Sequence, residues 1–523
     1  MSASAPEAAG DAGSAGTPDP AAAAADRRRW LVLAVIATAQ LMVVLDGTVV
    51  NIALPSAQNA LHFSNADRQW IITGYALAFG SLLLLGGKLG DLFGRKPVFI
   101  TGLVGFAAAS ALGGAANGFG LLVAARVCQG LFGALLSPAG LSLLTTTFPD
   151  AKDRGKAFGL YGGIVGSGGA VGLLLGGVLT EYLSWRWCLF INLVFAAAGL
   201  VGAISLLRHE RPTVRPRLDL PGSLAVSAAM FALVYGCSNA DTHGWHAPST
   251  WGSLAIGAVL LIAFVLRQSR VAYPLLPLRI LADRNRAGAY TAIFLVMSGA
   301  AGVFLFLTYY LQETLHYSAV GTGVAYLPML VAALGLAITS NVVLLPRLGP
   351  RRLVVAGMLI GACGMAWLTR IGLNSEYFAN LLGPLLLTGS GMGLTLSPSM
   401  NTATYRLPPG DAGVGSALAN TQQQVGQSIG TALLNTVAVS ASAHYFVAHA
   451  VAPGTNTLAT DLALDAIHGY TTAFWWAAGI FAVGAVLCGA VLRSGPLDRG
   501  PASDAHGAPA ARSSEAGSAV GAA

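Results

Sequence analysis

Five hundred and twenty-three residues would ordinarily make three or more soluble domains. Only 10% of them are Asp, Glu, Lys or Arg, where a soluble chain carries about 25%, and 66 are Gly. So few charges cannot cover a water-facing surface, and a net charge of +7 leaves the balance basic; the composition excludes a soluble protein and fits closely packed membrane helices.

At 1.5 Å per residue and a hydrocarbon core of about 30 Å, a spanning helix takes roughly 20 apolar residues. Fourteen such segments start near Trp30, Trp70, Val98, Gly120, Ala157, Cys188, Leu220, Trp251, Ala287, Val320, Leu353, Asn380, Gly413 and Gly469. Residues 1–29 are expected to be a disordered tail with a basic end, and residues 493–523 a second one, because both lack large apolar groups. Arg27, Arg28 and Arg29 lead into a full span with no cleavage pattern, which reads as an uncleaved first helix.

The cations test the count. With the N-terminus inside, 25 of the 29 Lys and Arg fall at inner connections. Arg68, Arg186 and Arg370 fall outside, and Arg126 lies within a helix. A missed helix would invert every later connection, so this split supports fourteen spans with both termini cytoplasmic.

The two halves also echo each other. Gly94, Lys96 and Gly102 recur as Gly349, Arg351 and Gly357; Gly133, Leu136, Ser137, Pro138 and Pro149 recur as Gly393, Leu396, Ser397, Pro398 and Pro409. Helices one to six then correspond to nine to fourteen, a parallel repeat about an axis along the membrane normal. The expected organisation is a six-helix bundle over 30–207, two inserted helices with flanking loops over 208–286, and a second six-helix bundle over 287–492.

No ATP-binding loop, metal-ligand spacing or hydrolase motif occurs in the sequence. Cys128, Cys188, Cys237, Cys363 and Cys488 are scattered through apolar surroundings as small hydrophobes. The expectation is a non-enzyme without cofactor or metal and without a nucleic-acid partner, drawing any energy for pumping from an ion gradient or a separate subunit.

Three motifs carry a family resemblance. Leu45-Asp46-Gly47-Thr48-Val49-Val50-Asn51 runs on to Pro55 in the first helix; Gly87-Lys88-Leu89-Gly90-Asp91-Leu92-Phe93-Gly94-Arg95-Lys96 joins the second to the third; Arg126-Val127-Cys128-Gln129-Gly130 lies in the fourth. Together with Trp185, Arg186, Trp187 and Asn192, these resemble the major facilitator superfamily and, within it, the fourteen-helix drug:proton antiporters. The resemblance implies an all-α integral membrane protein of the major facilitator fold, in the plasma membrane, exporting small molecules against protons. It also implies a glycine pattern in helix five, which Gly168, Gly172, Gly176 and Gly177 fit, with Leu173 standing where the exporter pattern has Pro.

The residues carry their own readings. Asp46 is the one acid the expected spans place deep in a helix, where burial raises a carboxyl toward the range in which it can exchange a proton; a hydrogen-bonded structural acid is the alternative. Arg126 is the one deep cation, either an electrostatic partner that tunes proton affinity or a clamp on helix-end carbonyls, and Gln129 shares its face. Gly87, Asp91, Gly94, Arg95 and Lys96 form a tight turn and charge cluster that can serve as a conformational latch, or simply anchor the topology. Ser416, Asn420, Gln423, Gln427 and Thr431 fall on one stripe of helix thirteen and line either the central cavity or a helix contact.

The function read from all this is a secondary active transporter, expected to act as a monomer in the lipid bilayer on a small apolar or amphipathic substrate and protons. An importer or facilitator on the same fold is the first alternative, and a membrane sensor or integral-membrane enzyme the second.

Overall fold

The structure is a computed structural model that describes residues 20–495 except 66, 149, 208–218, 245–246, 272–273, 406, 408–411 and 450–457. The echo of Pro149 and Pro409 and most of both expected tails lie outside the described residues.

Helices account for nearly all of what is described, because a backbone without water must satisfy its own polar groups. In chain order they are α1 (Pro20–Leu61), α2 (Gln69–Phe93), α3 (Arg95–Gly114), α4 (Phe119–Thr147), α5 (Ala151–Tyr182), α6 (Trp187–Leu206), α7 (Leu220–His243) and α8 (Pro248–Gln268). The single turn α9 (Arg279–Ala282) precedes α10 (Arg284–Gly302), α11 (Ala319–Thr339), α12 (Leu345–Leu368), α13 (Leu382–Thr404), α14 (Ala412–His449) and α15 (Leu458–Val491). π-helical turns at Val303–Leu307 and Tyr310–Thr314 lengthen α10, Ser340–Leu344 joins α11 to α12, and Tyr377–Leu381 leads into α13. Among the described residues, eight stretches are long and apolar enough to cross a membrane, Ala319–Leu368 counting as one because no loop interrupts it.

Each expected span start lies within one of these helices or the π turn leading into it, but three boundaries differ from expectation. α1 begins at Pro20 rather than near Trp30, because Ala21–Ala25 is a run of the strongest helix former. α15 begins at Leu458, well ahead of Gly469, and so takes the buried Asp465 into a helix, where the sequence reading placed Asp46 alone. The expected loop Gly87–Lys96 is helix up to Phe93; Gly94 alone, at φ 94°, turns the chain into α3.

The halves repeat in three dimensions. Gly349 breaks the second half at φ 75°, where Gly94 breaks the first. α2 packs on α4 as α11 packs on α13, and α1 packs on α5 as α10 packs on α14. Gly133 lets Phe79 of α2 approach, and Gly393 lets the Ala333 carbonyl of α11 approach. We call the end where α1 begins the near end, and the end where it finishes the far end. At the near end Arg28 Nη2 donates to the Leu206 carbonyl at the finish of α6 (2.9 Å), and Arg284 Nη2 to the Ala490 carbonyl at the finish of α15 (2.8 Å).

Between halves, α2 runs beside α14 and α5 beside α11. One apolar cluster crosses this boundary toward the far end, from Val49, Ile52 and Leu54 of α1 through Leu173 of α5 to Phe306, Tyr310, Tyr326 and Phe474. Outward-facing Val201, Ile204, Val259, Val331 and Val486 are exposed, as side chains dissolved in lipid must be.

Candidate functional site

α1 and α4 bring the two deep charges together. Arg126 Nη1 lies 2.5 Å from Asp46 Oδ2, and both side chains are buried, at 2% and 0% exposure. Asp46 Oδ1 accepts from Gln129 Nε2 at 2.8 Å and from Asn192 Nδ2 at 2.7 Å. Every neighbour donates, which is what an ionised carboxylate requires, since it can only accept. Arg126 also donates through Nη1 to Gln129 Oε1 (2.9 Å) and through Nε to the Ile71 carbonyl (3.1 Å), with its guanidinium 4.4 Å from the centre of the Tyr75 ring. Arg126 thus contacts both an acid and a backbone carbonyl, the latter in the first turn of α2.

Ser110 of α3 completes the cluster, with its hydroxyl taking donors from Gln129 (2.8 Å) and Asn192 (3.3 Å). Asn192 Oδ1 is buried and has no hydrogen-bond partner among the described residues. A small apolar cavity lined by Val50, Leu54, Ile71, Leu122 and Leu189 reaches Arg126 from the far end. The arrangement can hold one negative charge in a dry site, and it offers an idle amide oxygen to a proton arriving on Asp46.

The glycines of α5 hold this cluster in place. Gly168 packs on Leu41 and Val44 of α1, Gly172 on the Thr48 hydroxyl, and Gly176 on the Val49 backbone; a Cβ at any of them would press on the helix that carries Asp46. Gly177 instead meets α11, where a Cβ would lie 2.7 Å from the Ala319 carbonyl. Leu173 is fully buried, and its own carbonyl sits 2.8 Å from where a Cβ on Gly323 of α11 would be.

The other expected residues lie elsewhere. Gly87 and Gly94 are on and just after α2, and Arg95 begins α3. Lys96 Nζ donates to the carbonyls of Ile204 (2.9 Å) and Leu207 (2.6 Å), so its ammonium is engaged with the end of α6. The side chain of Asp91 lies outside the described residues. On α14, Ser416, Asn420, Gln423 and Gln427 are half-buried, with Gln423 Nε2 3.4 Å from Met400 Sδ of α13, while Thr431 is buried.

One group was missed. Arg68, which the charge count leaves in an outer connection, is buried at the far end. Its Nε donates to Asn435 Oδ1 of α14 (3.1 Å), and its guanidinium stands 4.3 Å from the Tyr309 ring centre. Gln58 accepts from the Tyr309 hydroxyl, Gln312 Nε2 donates to the Ile52 carbonyl (3.1 Å), and the Val320 amide donates to Glu181 Oε2 (2.9 Å). These contacts all join the two halves at the far end. The signal for Arg68 was the Arg68-Gln69 pair opening an apolar helix beside Trp70, a weak one.

Comparison with known proteins agrees with the fold. The sequence profile of the Major Facilitator Superfamily matches residues 36–431. The puromycin resistance protein of Streptomyces alboniger is 48% identical over 467 residues, covering 88% of this chain and 91% of that protein. The cephamycin export protein of Amycolatopsis lactamdurans is 37% identical over 408 residues, covering 77% and 84%. Among solved structures, an auto-inhibited POT family peptide transporter superposes with a TM-score of 0.63 at 16% identity, covering 89% of this chain and 96% of that one. The inward-facing, unoccupied bacterial homologue of the human lysosomal transporter Spinster gives 0.62 at 16%, covering 89% and 97%.

Proposed function

We propose, from the premise that the chain belongs to the Major Facilitator Superfamily, that its buried Asp46–Arg126 pair couples the export of small apolar or amphipathic molecules to protons. The protein is a multi-pass membrane transporter of the drug-efflux kind and not an enzyme. Relatives named for puromycin resistance and cephamycin export support compounds of that sort as its substrates.

In this reading the chain crosses the membrane fourteen times, as two six-helix bundles over 30–207 and 287–492 with two helices inserted over 208–286, and works as a monomer. The near end and both termini face the cytoplasm. With the far end held by Arg68, Gln58, Tyr309 and Asn435, this is the conformation that receives substrate from inside.

The observation that carries the coupling is the set of donors around Asp46. Ionised, Asp46 balances Arg126 and draws α1, α4 and α6 together. When a proton reaches it, the carboxyl becomes a donor and one of its present donors must turn away. Rotation of the Asn192 amide would present its idle Oδ1 to the new O–H. Arg126 then loses its counter-charge in a site where an unbalanced charge is costly, which favours a rearrangement that returns the proton. Gly94, Lys96 and the rest of the turn after α2 act in the switch between conformations, and the half-buried polar groups of α14 line the cavity.

The test is Asp46→Asn, which keeps the shape and removes the titratable charge. Cells making the variant should lose efflux driven by the proton gradient in an assay with puromycin and ethidium, while purified protein releases no proton on binding drug. Undiminished proton release from folded Asp46→Asn would end the assignment.

A further inference from the structure

The chain buries two guanidinium groups and satisfies them differently. Arg126 meets the carboxylate of Asp46. Among the described residues no acid forms an ion pair with Arg68. Glu313, on the π-helical turn nearby, is exposed and accepts from Asn59 instead (3.4 Å). A guanidinium does not shed its proton, so this buried charge has to be held some other way.

Aromatic rings hold it. The guanidinium carbon of Arg68 stands 4.3 Å from the centre of the Tyr309 ring and 5.5 Å from that of Phe306. Tyr470 packs on Phe306 (5.8 Å between ring centres) with its hydroxyl near the guanidinium, and Phe474 meets Phe306 edge-on (6.4 Å) and fixes it. Asn435 Oδ1 supplies the polar end, accepting from Arg68 Nε. All of these side chains are buried. The face of an aromatic ring carries partial negative charge, so such a cage attracts a cation without being charged itself. The two sides of the contact come from different halves. Arg68 belongs to the first, immediately before α2, and the rings and Asn435 all belong to the second.

Opening the far end parts the halves there, so Arg68 leaves with the first and the cage stays with the second. Because the rings are neutral, an empty cage strands no charge, as an ion pair parted in the same way would. We infer that Phe306, Tyr309, Tyr470 and Asn435 form a binding site for a monovalent organic cation, which Arg68 fills while the far end is closed and vacates when it opens. The rings take the ammonium or guanidinium of the cargo, and the buried Leu307 and Phe474 beside them suit its apolar body. On closing, Arg68 returns to a place that two cations cannot share, so closure drives the cargo outward. The inference rests on the export reading for its direction and cargo, but the site can be tested by binding alone.

Phenyltrimethylammonium and tert-butylbenzene share a shape and differ in charge. Arg68→Gln empties the cage and keeps a hydrogen-bond donor for Asn435. In the full chain in lipid nanodiscs, it should bind the ammonium compound roughly tenfold more tightly than the parent does, with tert-butylbenzene changed little. Arg68→Lys, which refills the cage with a cation, should bind like the parent, and adding Tyr309→Leu to Arg68→Gln should abolish the gain. A second measurement keeps Arg68 in place. With the five native cysteines replaced by alanine, nitroxides at Tyr182→Cys and Glu376→Cys, one on each half, should move apart on adding the ammonium compound and not on adding tert-butylbenzene at the same concentration. Equal gains for the two compounds, no gain in Arg68→Gln, a gain that survives Tyr309→Leu, or an unchanged label distance would each overturn the site. Failure of the export reading would appear instead as absent drug efflux with these binding differences intact.

Discussion

At the scale of single residues, the centre of the molecule is one ion pair taken out of water. Breaking such a pair by deleting one partner costs about 3–5 kcal/mol, because the other charge is left buried and uncompensated. Arg126→Ala and Asp46→Asn should therefore both lower the melting temperature in detergent, the second even though it leaves Arg126 with the Gln129 amide, the Ile71 carbonyl and the Tyr75 ring, because a guanidinium cannot shed its charge. An unchanged melting temperature for Asp46→Asn would mean that Asp46 does not balance Arg126. Both residues were legible in the sequence, since a charge inside an apolar run needs a reason. Their pairing was not, because nothing local links α1 to α4. Asn192 stood out only through the family resemblance, and Ser110 and Tyr75 gave little signal; serine and tyrosine enter membrane helices at small cost, and only packing shows which ones converge. Arg68 was read as a loop residue because its burial is supplied by α14 and the π-helical turns after α10.

At the scale of helices, close approach decides what can move. Gly177 faces backbone atoms of α11, the Ala319 carbonyl and Val320 Cα, which cannot step aside as a flexible side chain would. Gly177→Val should strain the closed far end by about 1–3 kcal/mol and shift the population toward opening there. Labels at Tyr182→Cys and Glu376→Cys, both exposed near the far end, would report this as a longer distance by pulsed electron resonance; an unchanged distance distribution would remove Gly177 from the closure.

The base of the α7–α8 hairpin makes a prediction about pH. Burial opposes ionisation of Asp219, but Arg267 Nε (2.7 Å), the Gly222 amide (3.0 Å) and Gln268 Nε2 (2.8 Å) outweigh it and hold the carboxyl below its ordinary value. A carboxyl depressed on folding contributes stability that is full above its unfolded value and is lost as pH falls through its folded one. Amide protection at the start of α7, corrected for intrinsic exchange, should therefore fall on acidification below the usual carboxylate range, and Asp219→Asn should flatten that dependence. Helix positions were the most readable feature of the chain, because apolar runs of spanning length are hard to mistake. Their ends were not. Gly94 turns the chain alone, so charges that looked like a loop belong to helices, and an alanine run extends α1 past the last aromatic.

At the scale of the whole molecule, the repeat was visible as scattered Gly and Pro echoes, and the threading proposed above rests on an asymmetry of cations. A reporter fused after Pro212 should be active in the cytoplasm and one fused after Thr455 outside it; an outside location for the first would undo the six-helix first half. The clasp of Arg28 on α6 and its counterpart, Arg284 on α15, could not be read, since an isolated arginine echo carries no information until its acceptor is known. Those two clasps have a consequence for how such a chain can change over generations. The arginines that help decide which way a helix threads into the membrane also fasten the last helix of each half to its first. Drift that weakened one role would weaken the other, so a sequence cannot relax its orientation signal there while keeping its halves shut. Lysine at position 28 would keep the sign of the charge but lose the planar fork, and so could pull insertion and cohesion apart.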